Sequence, residues 1–92
     1  EAANLGFMRE EEKMARDVYR VLFDRWNMVI FSNISKAEQS HMNTMAEMLS
    51  RYGIEDPVAS DATGSFTNPQ LAALYDQLIA RGSRSPDEAI EV

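Results

Sequence analysis

The stretch GFMREEEKMARDVYRVLFDRW, residues 6–26, decides the fold of this chain. Apolar and aromatic side chains recur along it at helical spacing: Met8, Ala15, Tyr19, Leu22 and Trp26. That spacing is typical of the buried stripe of an amphipathic helix. Most other positions hold good helix formers, and proline is absent from the stretch. We therefore predict a first helix from about Gly6 to about Trp26.

A second helical pattern runs from about Ser32 to Tyr52. One side of it carries Ile34, Ala37, His41, Met45, Met48 and Tyr52. Gly53 stands where a glycine in the left-handed conformation commonly ends a helix. The link between the two patterns, NMVIF at residues 27–31, is short, and short links join antiparallel helices. Residues 1–53 are thus predicted to form an antiparallel helical hairpin.

The remaining residues, 54–92, have a different composition. The segment IEDPVASDATGSFTNPQ, residues 54–70, is rich in turn-forming residues and predicts an extended surface connection. A shorter helix from about Pro69 to Ala80 should follow, with Asn68 as its N-cap. The sequence SPDE, residues 85–88, has the form of a capping box and predicts the start of a further helix. No stretch alternates with period two, so the fold class is all-α, in a single domain over 1–92.

Composition narrows the range of partners. The chain has 92 residues, no cysteine and a net charge of −6, which argues against nucleic acid as a partner. No apolar run approaches the roughly 18 residues of a membrane span, so no membrane partner is expected. Because the chain starts at Glu1 rather than at a methionine, we expect a processed or shortened protein. Its last residues, SPDEAIEV, have the pattern of a helix that has only begun, so we expect the natural protein to continue beyond Val92. A soluble protein is expected, and cytoplasmic and processed secreted or periplasmic locations both fit.

Three polar residues interrupt the apolar stripes: Glu12 on the first helix, and Glu38 and His41 on the second. A carboxylate on a buried face is costly unless it is paired or bound to a cation. Residues three apart lie on one helix face, so Glu38 and His41 can converge on one ion. If the two stripes face each other, all three side chains meet. Carboxylates with an imidazole suit iron, manganese or zinc, whereas calcium and magnesium prefer all-oxygen sites.

Simpler interpretations of the same residues stay open. Glu38 fits the third position of a capping box with Ser35, if the helix starts late. His41 fits an ordinary buried histidine with a backbone partner. Glu12 fits a solvated helix edge, as we expect for its neighbours Glu10, Glu11 and Lys13.

Other interpretations concern the surroundings of the three residues. The methionines, Met8, Met14, Met42, Met45 and Met48, are interpreted as core filler rather than as copper ligands. Arg16 and Asp17 are expected to form ion pairs on the helix face or contacts around the ligands. A mononuclear structural zinc site would need a fourth ligand or a water molecule, and it is disfavoured because the chain has no cysteine and no other histidine. A metal-free interaction module, pairing through the Met-rich apolar face, is the alternative from a different functional class.

Four stretches together resemble a ferritin-like family known as a domain of unknown function: FMREEEKMARDVYRVLFDRW, IFSNISKAEQSHMNTM, RYGIEDP and GSFTNPQLAALYDQLIARG. Within them, Glu12-x-x-Ala15-Arg16-x-x-Tyr19 and Glu38-x-x-His41 resemble the helix motifs of rubrerythrin-type proteins. Four-helix di-iron and di-manganese proteins take a Glu from each of two helices and Glu-x-x-His from each of the other two.

The resemblance implies that Glu12, Glu38 and His41 are ligands of a di-iron site, with Glu38 bridging and manganese or zinc as other metals. It implies that Tyr19 packs beside the site, hydrogen-bonded to a carboxylate. The implied chemistry is oxidation of ferrous iron, or reduction of peroxide or dioxygen. A di-metal site of this type needs six ligands, and this chain offers three. The chain therefore resembles the N-terminal half of a complete ferritin-like four-helix domain. A second copy about a two-fold axis, or a C-terminal half, would supply the rest.

Overall fold

The computed structural model describes the backbone of residues 2–92 and the side chains of residues 4–92. Four helices follow one another along the chain: α1 (Ala2–Trp26), α2 (Val29–Arg51), α3 (Pro69–Gly82) and α4 (Pro86–Glu91). Residues 2–92 contain no β-strand, which confirms the all-α prediction. Among these four helices, none is both long and apolar enough to cross a membrane.

The two long helices pack against each other as the predicted hairpin, but the turn is tighter than expected. It consists of Asn27 and Met28, because residues 29–31 already belong to α2. Asn27 adopts the left-handed conformation, with φ 56°, which asparagine tolerates better than most residues. The earlier start of α2 buries Phe31, whose ring stacks on Tyr19 with the ring centroids 6.0 Å apart.

Local signals at the helix ends behave as predicted. Gly53 has φ +66°, and the next residue, Ile54, donates its backbone N–H to the carbonyl of Leu49 at 2.8 Å. This is the hydrogen bond that closes a Schellman motif. The side chain of Asn68 accepts the backbone N–H of Gln70 at 2.8 Å and so caps α3. In the same way, the hydroxyl of Ser85 accepts from Glu88 and caps α4.

The buried core coincides with the predicted stripe of α1 only in part, and the predicted Tyr19 and Trp26 are partly buried against it. Its members are Met14, Val18, Leu22, Phe31, Leu71 and Ala89. Leu22 was predicted there, but Met8 is 45% exposed and Tyr52, at the end of α2, is 66% exposed. The reason is that α1 carries two apolar stripes, and α3 packs on one of them. On α2 the buried residues are Phe31, Met42, Met45 and Leu49.

Charged residues are buried on α1 where solvated ones were expected. Glu10 and Lys13 are both buried, so the prediction that they are solvated is wrong; Glu11 is exposed as predicted. The carboxylate of Glu10 accepts the backbone N–H groups of Thr67 and Asn68. A side chain of α1 thereby fixes the end of the connecting segment just before α3.

Lys13 uses all three of its N–H donors inside the protein. Its Nζ donates to Asp17 Oδ2 at 2.7 Å, to the carbonyl of Ala62 at 2.8 Å and to the carbonyl of Ser65 at 2.7 Å. Burying an ammonium group is tolerable when it is both paired and fully hydrogen-bonded. The segment 54–68 is therefore attached to α1 through polar groups rather than by apolar packing alone.

Candidate metal centre

The antiparallel packing of α1 and α2 brings Glu12, Glu38 and His41 together. His41 Nδ1 lies 3.0 Å from Glu12 Oε2, on the other helix, and 3.0 Å from Glu38 Oε1, one turn away on its own helix. One ligand atom from each residue can be chosen so that all three lie within 4.8 Å of one another. The geometric part of the prediction is thus met: the three side chains converge.

The cluster lies on a solvent-exposed side of the hairpin, which we call the open side, rather than in the core. The side chain of Glu38 is 18% exposed and that of Glu12 is 26% exposed, whereas that of His41 is 61% exposed. A buried histidine with a backbone partner is therefore wrong for His41, because its partners are two carboxylates and its ring is in contact with solvent. The simple interpretation of a solvated edge is incomplete for Glu12, which is half-buried and bonded to His41.

The capping interpretation of Glu38 is also wrong. Helix α2 begins at Val29, with Met28 as its N-cap, so Ser35 lies well inside the helix. The hydroxyl of Ser35 donates to the carbonyl of Ser32 at 3.0 Å instead. Glu38 is thus free of a role at a helix terminus, and its carboxylate points to His41.

The proton affinities in the cluster are coupled. Hydrogen bonds from the ring of His41 to Glu12 and Glu38 raise the pKa of the imidazole above its ordinary value. Burial, and then the negative charge of Glu12, raise the pKa of the Glu38 carboxyl. Both shifts favour a proton held between the carboxylates. A metal ion bound through these atoms has to displace that proton, since only the neutral imidazole is a ligand.

The donor set fits a transition metal better than it fits calcium. Two carboxylates and one imidazole suit iron, manganese or zinc, because the imidazole nitrogen is softer than an all-oxygen shell. A cavity of about 230 Å³ adjoins the cluster, lined by Met8, Glu12, His41, Thr44 and Met45. Of these, Met45 is buried and Met8 is exposed, so the interpretation of the methionines as core filler holds for Met45 and not for Met8.

Residues expected beside the ligands occupy two different environments. Tyr19 stacks on Phe31, and its hydrogen bond to a site carboxylate stays a prediction. Arg16 is fully buried and bonds to Asp17, Asp61 and Gln39 rather than to one of the three candidate ligands. Its contact around the site is therefore indirect.

Sequence reasoning missed Gln39 and the depth of the buried network. Glu10, Lys13 and Asp17 follow one another at spacings of three and four, which is the spacing of a helix face. That pattern was available in the sequence as a signal for a polar stripe next to the apolar one. Gln39 carries no such signal, since a glutamine beside a glutamate is common on helix surfaces.

The fold and the site together define a class of protein: an all-α chain whose two long helices form a hairpin and carry a carboxylate–imidazole cluster between them. The chain belongs to the family described as "Uncharacterized protein domain (DUF2202)", whose model matches residues 1–92. This confirms the resemblance to a family of unknown function.

A curated relative and a solved structure support this membership. The chain is 46% identical over 85 residues to the uncharacterized protein MJ0754 of Methanocaldococcus jannaschii, covering 92% of this chain and 46% of the relative. It is also similar to the crystal structure of hypothetical protein MJ0754 from Methanococcus jannaschii, with a TM-score of 0.90 and 45% identity. That match covers 91% of this chain and 48% of the solved one. The chain thus spans about half the length of the curated relative it matches.

Proposed function

We propose that this chain is one half of a ferritin-like helical bundle that binds iron, or a similar transition metal, through Glu12, Glu38 and His41. One observation carries the proposal: the ring nitrogen of His41 lies 3.0 Å from a carboxylate oxygen on each of two helices. The spacing Glu38-x-x-His41, with a further Glu on the neighbouring helix, is the half-set of ligands found in four-helix di-iron proteins.

The roles of the three side chains follow from their environments. Glu12 and Glu38 supply the negative charge that a divalent cation requires, and their partial burial weakens competition from water. His41 contributes the nitrogen donor and gives up its proton when a metal binds. Bound iron would supply redox chemistry, with peroxide, dioxygen or ferrous iron as the substrate class. The adjoining cavity, lined by Met8, Thr44 and Met45, is large enough for such small molecules.

The ligand count supports an assembly of two helical hairpins. A di-metal site of this type takes six protein ligands, and a two-fold axis would duplicate Glu12, Glu38 and His41. Met8, which lines the cavity beside the cluster, is exposed, and so are Ile30 and Tyr52 at the two ends of α2. For this chain we propose a second copy as the covering partner.

Metal analysis of the purified protein tests the proposal. After anaerobic loading with Fe²⁺ and desalting, we expect bound iron in the wild type and loss of it in the double variant Glu38→Ala, His41→Ala. Glu47→Ala is the matched control, because Glu47 is an exposed carboxylate on the same helix, paired with Arg51 instead. Equal iron content in the wild type and in the double variant would contradict the proposal.

A second candidate function is a metal-free interaction module, and the exposed apolar side chains of the open face favour it. In that case Glu12, Glu38 and His41 form a hydrogen-bonded cluster, and the Met-rich face pairs with a partner helix. The two functions differ in one readily measured property. A chelator leaves the melting temperature of an interaction module unchanged, whereas it lowers that of a protein loaded with metal.

A further inference from the structure

Arg16 is a fully buried side chain with hydrogen-bond partners on α1, on α2 and in the connecting segment. Its Nε and Nη2 donate to Asp17 Oδ1 at 3.0 Å and 2.9 Å. Nη2 also donates to the carbonyl of Asp61 at 3.1 Å, and Nη1 donates to the Asp61 carboxylate at 2.9 Å. These bonds engage all but one of the five N–H donors of the guanidinium group. The bonds to α1 and to the connecting segment thus fix the position of the guanidinium group independently of α2.

The remaining donor of Arg16 goes to α2. Nη1 donates to Gln39 Oε1 at 2.7 Å, which makes Gln39 the residue of α2 that bonds to the buried guanidinium. Arg20 adds a longer contact to the same oxygen, at 3.4 Å. The amide nitrogen of Gln39 donates to Asn43 Oδ1 at 3.0 Å, an exposed contact within α2. Both polar atoms of the Gln39 amide group are therefore hydrogen-bonded.

This contact lies directly beside the candidate ligands. Arg16 follows Glu12 by one helical turn on α1, and Gln39 lies between Glu38 and His41 in sequence on α2. The bonds Arg16–Gln39 and Glu12–His41 thus bridge the same two helices about one turn apart. Since successive helix residues are rotated by about 100°, holding Gln39 in place determines the directions in which Glu38 and His41 project.

We propose that Gln39 is a positioning residue for the cluster of Glu12, Glu38 and His41. By accepting a hydrogen bond from the buried Arg16, it fixes the rotation of α2 about its own axis relative to α1. The side chains of Glu12, Glu38 and His41 are thereby held close to one another before a metal binds. The part of this inference that concerns metal affinity rests on the proposed function, whereas the part that concerns geometry does not.

The rotation has few other polar constraints near the site. Besides the apolar packing of Met42 and Met45, both buried, a further polar contact between the helices runs from Arg9 Nη1 to the carbonyl of Met42, at 3.4 Å. Residues that orient metal ligands without contacting the metal commonly change metal affinity by about 10–100-fold when they are mutated. We expect Gln39 to act within that range.

The variants Gln39→Met and Gln39→Glu test the proposal. Methionine keeps the length of the side chain and removes the acceptor, whereas glutamate keeps an acceptor for Arg16. Asn43→Ala is the control, because it removes the amide partner of Gln39 and leaves the bond to Arg16 intact. Far-UV circular dichroism establishes that each variant is folded. Isothermal titration with Co²⁺ alone then gives the affinity, and the visible absorption of Co²⁺ gives the coordination.

We expect Gln39→Met to bind Co²⁺ about tenfold or more weakly than the wild type, with Gln39→Glu and Asn43→Ala close to it. A metal-free measurement accompanies this: nuclear Overhauser effects between the ring protons of His41 and the side chain of Glu12. They should be observable in the wild type and in Gln39→Glu, and weakened in Gln39→Met. Unchanged Overhauser effects in a folded Gln39→Met variant would overturn the positioning role. If the wild type binds no Co²⁺ while these effects weaken as expected, the proposed function fails and the positioning role stands.

Discussion

His41 on α2 and Glu12 on α1 are 29 residues apart in sequence, and Nδ1 of one lies 3.0 Å from Oε2 of the other. This contact joins the two long helices on the open side of the hairpin. It depends on the register of the hairpin, because a shift of one residue along either helix would turn one of the partners away. The cluster is thus a sensitive reporter of how α1 and α2 are packed.

The stability of the metal-free protein should depend on pH through His41. Its pKa is raised above 6.5 because its ring is hydrogen-bonded to Glu12 and Glu38. A raised pKa in the folded state means that the stabilisation is fully present below about pH 6.5 and is lost as the pH rises through the folded-state pKa. We expect the melting temperature, measured with chelator, to fall across that window.

The raised pKa of Glu38 has the same sign, and its window starts lower, at the ordinary carboxyl value of 4.5. The variant His41→Gln removes the window of His41; the window of Glu38 remains and moves upward, because the hydrogen bond and the charge of His41 lower the pKa of Glu38 in the wild type. An identical pH profile above 6.5 in this variant and in the wild type would contradict the assignment to His41.

Replacing the buried lysine should destabilise the fold. In Lys13→Met, Asp17 loses one of its cationic partners, and two backbone carbonyls of the connecting segment lose their donor. Breaking a buried ion pair by removing one partner typically costs about 3–5 kcal/mol. Urea denaturation measures the free energy of unfolding. Lys36→Met is the control, since the other lysine of the chain is exposed on α2, and its replacement should change stability by less than about 0.5 kcal/mol.

Adding one methyl group at Gly82 should also destabilise the protein. A Cβ atom there would lie 2.6 Å from Cδ2 of Leu22, which is completely buried. Overpacking of this kind costs about 1–3 kcal/mol, and the helix propensity gained from alanine offsets up to about 1 kcal/mol. Thermal denaturation of Gly82→Ala should show a net loss. The double variant Gly82→Ala, Leu22→Val should lose less than the sum of the single changes, because valine leaves room for the new methyl group.

Metal binding and assembly should be linked. If two copies complete the site, light scattering should give a dimer of this chain with Fe²⁺ under anaerobic conditions, and the melting temperature should rise with metal concentration. Binding at about 100 times the dissociation constant stabilises a protein by about 2.7 kcal/mol. In Glu12→Ala the metal-dependent part of both effects should disappear. A monomer at high concentration with metal bound would count against the second copy as the covering partner.

Much of the fold could be predicted from local sequence patterns. The hairpin, the third helix, the caps at Asn68 and Ser85 and the terminating Gly53 all appear as expected, within a few residues at the helix ends. The turn was the exception, since the apolar residues 29–31 looked like a link and proved to be the first turn of α2. Phe31 explains the difference, because its stacking on Tyr19 is a contact between helices that a local pattern does not contain.

The sequence by itself determined the helices and the identity of the three clustered side chains. Helices form through hydrogen bonds four residues apart, and the spacing of Glu38 and His41 is a property of one helix. The tertiary structure decided which face of α1 is buried, and so placed the cluster on the open side of the hairpin. It also decided that Lys13 and Arg16 are buried with Asp17, because their partners lie in a segment more than forty residues further along the chain. Such contacts depend on how the elements dock, which no local periodicity encodes.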